Sequence, residues 1–263
     1  LDPGAPAVWR ALGDARRAAR FENSAGLAYS RAAELGLDEP EGLTLAGLHA
    51  AESGQTARAA GWLLRALRAD PPHADPLVSF VAAAALGEAL LDLGYTSAGA
   101  DSLAVGIEIP NVARVPTNLG REAATLQRRR APLLVRLGDA RLALGDEADA
   151  IGAYESARAI PGAPPVQERL IYALRRSGND AGAALILLEE IREGARITPA
   201  RAAALAELAR LIRPRHALAD ALATIVRAKG LSRIILTSDA SPLPVPTQWT
   251  YIDRSSVALG APA

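Results

Sequence analysis

Cysteine is absent from the 263 residues, which removes disulfides, thiolate metal ligands and thiol nucleophiles together and leaves the redox compartment open. Methionine is absent too, and the chain begins at Leu1. That fits a mature chain processed after export to the periplasm or the cell exterior, an excised domain, or a sequence lacking its first residues. Phe, Trp and Tyr together make up 4%, too few for a core built on large rings. Lys229 is the one lysine among 29 basic residues, a bias we read as the codon usage of a GC-rich bacterial genome. Those bases meet 29 acids, so electrostatics give no reason to expect nucleic acid or an anionic membrane as partner. No stretch approaches the roughly 18 uncharged apolar residues that cross a bilayer; the run 81–86 is short and Ala-rich and reads as a core helix.

What is present is small and periodic. Half of the residues are hydrophobic and alanine is the commonest of all, a composition that favours helices packed closely through small side chains. Trp9, Leu12, Gly13, Ala25, Tyr29 and Ala32 recur 34 residues later as Leu43, Ala46, Gly47, Ala59, Leu63 and Ala66. A later stretch repeats the signature as Leu134, Leu137, Gly138, Arg141, Gly145, Ala150, Tyr154 and Ala157. Glycine and alanine let two helices approach, and the large residues plug the gaps between neighbours.

This register resembles the tetratricopeptide repeat (TPR) family. The resemblance implies an all-α fold, a right-handed α-solenoid of antiparallel helix pairs with a short, partly extended C-terminal segment. Six pairs are expected at 6–39, 40–73, 74–110, 117–164, 165–197 and 198–230, three of them matched strongly. The third opens at Asp75-Pro76, runs to Leu93-Gly94 and reads as degenerate, its spacing one residue off. Residues 111–130 interrupt the array and read as a loop through Pro116 followed by an N-terminal extension of the next helix. The fifth pair turns at 177–180 and lacks the Leu-Gly dipeptide; the sixth begins at Thr198-Pro199. Residues 231–263 are not a repeat: 234–236 is β-branched, 241–246 is Pro-rich, and 248–252 alternates like a short strand. This tail either caps the open end of the stack or docks into a neighbour through Pro244, Trp249 and Tyr251.

The search for chemistry returns little. His49, His73 and His216 are the three histidines. His49 and Glu52 share a helix face but make no metal site by themselves and read as solvated surface. No G-x-S-x-G elbow, P-loop or dinucleotide glycine motif occurs. The basic run 128–130 and the acidic pairs Glu189-Glu190 and Asp146-Glu147 read as solvated helix and turn faces. No catalytic residue, metal ligand or cofactor site is assigned.

In TPR proteins the concave groove is lined by the first helix of each pair. Carried over by position, the resemblance implies a peptide-binding set of Arg10, Asp14, Arg17, Glu41, Thr44, Leu48, Glu52, Val135, Asp139 and Leu142. The Lys and Asn that grip chaperone C-termini in some TPR modules are missing from these positions, so a carboxylate clamp is not expected. The expectation is a non-enzymatic scaffold that binds a protein or peptide through this groove. Two alternatives stand beside it: a homo-oligomeric filament joined head to tail through the terminal segments, and the targeting module of a larger enzyme.

Overall fold

The computed structural model describes residues 2, 4–69, 76–108, 119–193, 235–237 and 248–250. It divides into two units, 1–164 and 165–263. The first holds nine described helices: α1 (Pro6–Ala18), α2 (Glu22–Glu34), α3 (Pro40–Glu52), α4 (Thr56–Ala69), α5 (Pro76–Asp92), α6 (Thr96–Ile107), α7 (Gly120–Arg128), α8 (Arg130–Leu144) and α9 (Glu147–Arg158). The second holds α10 (Gln167–Arg176), α11 (Asp180–Glu193) and two short strands, β1 (Ile235–Thr237) and β2 (Gln248–Thr250). The sixth expected pair, at 198–230, lies outside the described residues, as do Pro244 and Tyr251.

Four helix pairs build the first unit: α1 with α2, α3 with α4, α5 with α6, and α8 with α9. Each pair packs on the next along the chain, α2 on α3, α4 on α5 and α6 on α8. Turns of a few residues between the members make the partners antiparallel. Local chemistry starts and stops the helices. Pro6 and Pro40 stand in the first turn of α1 and α3, where no backbone donor is missed. Glu39 caps α3 by accepting from the amides of Glu41 at 3.0 Å and Gly42 at 2.8 Å. Past the C-terminus of α2, Arg65 of α4 donates to the carbonyls of Ala33 at 3.3 Å and Leu37 at 2.6 Å, tying the end of the first pair to the second.

One contact recurs in all four pairs. A glycine on the first helix faces a large residue sixteen positions later on the second: Gly13 and Tyr29, Gly47 and Leu63, Gly87 and Leu103, Gly138 and Tyr154. A Cβ on Gly13 would stand 2.7 Å from the Tyr29 ring, and one on Gly138 would stand 2.5 Å from that of Tyr154. Seven residues after each glycine the turn passes through the left-handed region, at Arg20, Gly54, Gly94 and Gly145. The third pair keeps this spacing throughout, which corrects its reading as degenerate. Its Leu-Gly dipeptide is Leu86-Gly87, whereas Gly94 is the turn. The plugs are fully or nearly fully buried, each aliphatic one contributing about 1.5–3 kcal/mol. Trp9, by contrast, is half-buried; α1, the first described helix, buries only Gly13 completely.

Residues 119–130 depart from expectation in another way. They form a separate helix, α7, with Arg129 as the joint to α8. α7 packs against α5 and α8, and Leu119 at its start joins the core of α2, α3, α4 and α5.

In the second unit α10 and α11 pair through Leu170, Ala173, Leu174, Ala183, Ala184 and Leu187, all buried. Gly178 turns the chain at φ +78°, and the Asn179 side chain accepts from the Gly182 amide at 2.9 Å. β1 and β2 form an antiparallel ladder in which Leu236 opposes Trp249. No described helix is long and apolar enough to cross a membrane.

Candidate functional site

Eight of the ten residues expected to line a groove fall into three groups. The first belongs to a clasp inside the helix pair. Tyr29 donates its hydroxyl to Asp14 at 2.8 Å, and Tyr154 does the same to Asp139 at 2.7 Å. Burial, and then the bond to Asp14, holds the Tyr29 phenol well above its ordinary pKa; Arg17 and Arg10 nearby pull the other way but do not prevail. These two aspartates therefore tie the ring that fills the glycine notch.

The second group is committed to the joint between the first two pairs. Arg10 bridges Asp14 at 3.0 Å, Glu39 at 3.2 Å and Glu41 at 3.8 Å, which links α1 to the N-cap of α3. Thr44 is wholly buried and donates its hydroxyl to the Pro40 carbonyl at 2.8 Å. It presents nothing to a partner, and it leaves the expected set. Threonine within a helix often turns its hydroxyl back on the preceding turn, which accounts for its fate.

The third group faces a cavity of about 300 Å³ between α1, α2, α3, α5 and α7. Arg17, Leu48 and Glu52 of the expected set line it, together with Glu22, Asn23, Tyr29, Leu45, His49, Val81, Arg121, Glu122, Thr125, Leu126 and Arg129. Its floor is apolar, from Leu45, Leu48, Val81 and Leu126, and charges of both signs ring it. Arg17 is engaged here by Glu122 at 2.7 Å, with side-chain exposures of 13% and 18%. Burial works against the Arg17 charge, but the hydrogen bond and charge of Glu122 outweigh it and raise the pKa above the ordinary value. Arg121 pairs with Glu22, and Arg129 with Glu88 at 2.8 Å.

Val135 and Leu142 sit on α8 away from this cavity, the first buried and the second half-buried. Trp249 occupies the middle of β2.

Several lining residues had no functional reading in the sequence. His49, read there as solvated surface, is half-buried and seats its ring on the bare Cα of Gly26, where any Cβ would collide with it. Glu122 and Leu126 belong to the interruption. Their signal was the placing of Leu119, Glu122, Ala123 and Leu126, three or four apart, on one helical face. No cluster of three or more His, Asp or Glu able to hold a metal exists among the described residues.

No family model and no curated protein matches the chain. Among solved structures, two crystal structures of MamA superpose with TM-scores of 0.47, at 22% and 20% identity, covering 66% and 74% of this chain and 89% and 98% of theirs. A structure from the functional characterisation of Pseudomonas aeruginosa pilF gives 0.43 at 15% identity, over 85% of this chain and 91% of that one. Likeness at this distance carries no argument about binding or activity. The repeat character rests on the chain's own helices.

Proposed function

We propose that the chain is a non-enzymatic interaction scaffold that takes a peptide or protein segment on the face formed by α1, α3 and α5. The observation that carries this reading is the cavity on that face, apolar at its floor and ringed by Arg17, Glu22, Glu52, Arg121, Glu122 and Arg129. A small-molecule site would concentrate a few convergent polar groups in an enclosed pocket. This one is an open cleft with charges of both signs around an apolar floor, as suits an extended partner of mixed charge with apolar anchors. Among the described residues that line it, none pairs a nucleophile with a base.

The test reverses one rim charge that lies on α3, outside both the clasp and α7. Glu52 is exposed, so Glu52→Arg should shift stability by only a few tenths of a kcal/mol. Wild-type protein immobilised on beads captures a partner, and the variant loses it by tenfold or more at unchanged Tm. Undiminished capture by the folded variant removes this face from consideration. Arg10 and Asp14 are unsuitable for such a test, since both hold the fold together.

A further inference from the structure

α7 is an unusual neighbour for a binding face. It interrupts the repeat and lies across the face proposed above. It turns Leu119, Ala123 and Leu126 inward, exposed by 0%, 2% and 7%. Glu122, on the same side, reaches Arg17. Residues 121, 124, 125, 127 and 128 are exposed. The result is one amphipathic face, apolar at i, i+4 and i+7 with a carboxylate at i+3, seated as a bound helical peptide would be.

Two further observations make the seat exchangeable. α7 has nine residues, below the roughly 12 to 15 at which a helix persists unaided, so its helicity depends on being docked. Its flanking ion pairs, Arg121–Glu22 and Arg129–Glu88, have arginines about half exposed and hold weakly. The seat also has room beside it: a cleft of about 300 Å³, open to solvent, runs along Thr125 and Leu126.

We propose that α7 is a resident stand-in for the partner, and that the true occupant is a helix of another protein with the same face: leucine, carboxylate three residues on, a small or apolar residue at four, leucine at seven. Such a helix, bulkier than α7 at the place of Thr125, fills the volume α7 leaves and displaces it. This rests on the reading of the face as a binding surface and adds the occupant's chemistry and an intramolecular competitor.

The probe is a fluorescein-labelled peptide of residues 117–130, read by anisotropy against the full chain. A protein whose own α7 is unseated by Leu119→Ser and Leu126→Ser should bind it about tenfold more tightly than wild type, because the occupied state no longer subtracts from the apparent affinity. Peptide carrying Thr125→Leu should bind more tightly than the native peptide. Arg17→Glu in the unseated protein should abolish binding, and Glu122→Lys in the peptide should restore it. If the double serine variant does not melt cooperatively, Glu122→Lys in the protein replaces it as the milder way to unseat α7, with a gain of about threefold expected. Equal affinity for wild type and unseated protein overturns the proposal, as does binding indifferent to Arg17→Glu. Peptide that binds nothing, while Glu52→Arg still loses its captured partner, keeps the face and rejects α7 as stand-in. Failure of both rejects the face. Wild-type dimers in sedimentation that dissolve on adding peptide would make a second copy's α7 the occupant, against a foreign helix.

Discussion

The first and fourth helix pairs share a mechanism and differ in what surrounds it. In both, a Gly-Asp dipeptide on the first helix receives a tyrosine from the second: glycine admits the ring, and aspartate binds the hydroxyl. Around the first clasp stand Arg10 and Arg17; at the corresponding places of the fourth stand Val135 and Leu142. The first pair turns through Arg20 at φ +64°, the fourth through Gly145 at φ +83°. What the two share is architecture. What only the first has, a pair of arginines turned toward α3 and α7, belongs to the joint and to the face.

The largest effect tests the shared part. Tyr29→Ala and Tyr154→Ala each remove a ring that is at most 2% exposed, and each should cost about 3 to 5 kcal/mol. Chemical denaturation of both variants measures it. Near-equal losses confirm that the clasp stabilises irrespective of its neighbours, whereas a loss below about 1 kcal/mol at Tyr29 would show that the first pair does not depend on its plug.

Filling the notch comes next. Gly13→Ala and Gly138→Ala both force a Cβ to within 3 Å of the ring of a buried, hydrogen-bonded tyrosine, a misfit of about 1 to 3 kcal/mol. The Tm of each should fall, and the two falls should be similar. A neutral Gly138→Ala would mean that the tyrosine shifts without loss, and the contact would then be incidental.

Much of this was legible in the sequence, and the gaps have physical causes. The 34-residue recurrence marks the glycine and its plug because packing distance is set by side-chain size, and size is written directly in residue type. The clasp hydrogen bond was there as well, since Gly13-Asp14 and Gly138-Asp139 each precede a tyrosine by the same interval. An acidic residue on a first helix reads equally well as groove lining, and only coordinates separate the two. The third pair was misjudged because two Leu-Gly dipeptides, Leu86-Gly87 and Leu93-Gly94, lie seven residues apart. Both are required, one for close approach and one for a left-handed turn. For α7 a helical stretch was expected, but not its break from α8 or its seat. Its helix is short, its partners are about a hundred residues away in Arg17 and Glu22, and local periodicity says nothing about which distant face a helix will cover.

A pH titration sharpens the comparison at the first clasp. The Tyr29 phenol has a folded pKa raised above its unfolded value near 10. Its contribution is therefore complete below pH 10 and declines as pH rises from there toward the folded value. By pH 11 wild type should lose about 1 kcal/mol relative to Tyr29→Phe, which has no proton to release. Parallel stability curves for the two proteins between pH 8 and 11 would show that the ring is not held protonated by burial and Asp14.

The smallest effect is the only one expected to stabilise. Arg20 adopts the left-handed backbone that Gly54, Gly94 and Gly145 adopt in the other three pairs, a conformation that costs a residue with a Cβ about 1–2 kcal/mol. Replacing it with glycine relieves that strain but gives back about 0.5–1 kcal/mol through the greater freedom of the unfolded chain. Arg20→Gly should thus gain about 0.5 to 1 kcal/mol, visible as a small rise in denaturation midpoint at unchanged slope, while Gly145→Arg should lose a comparable amount. If Arg20→Gly destabilises instead, Arg20 contributes through its side chain more than its backbone costs, and the first turn is held by something the fourth does not have.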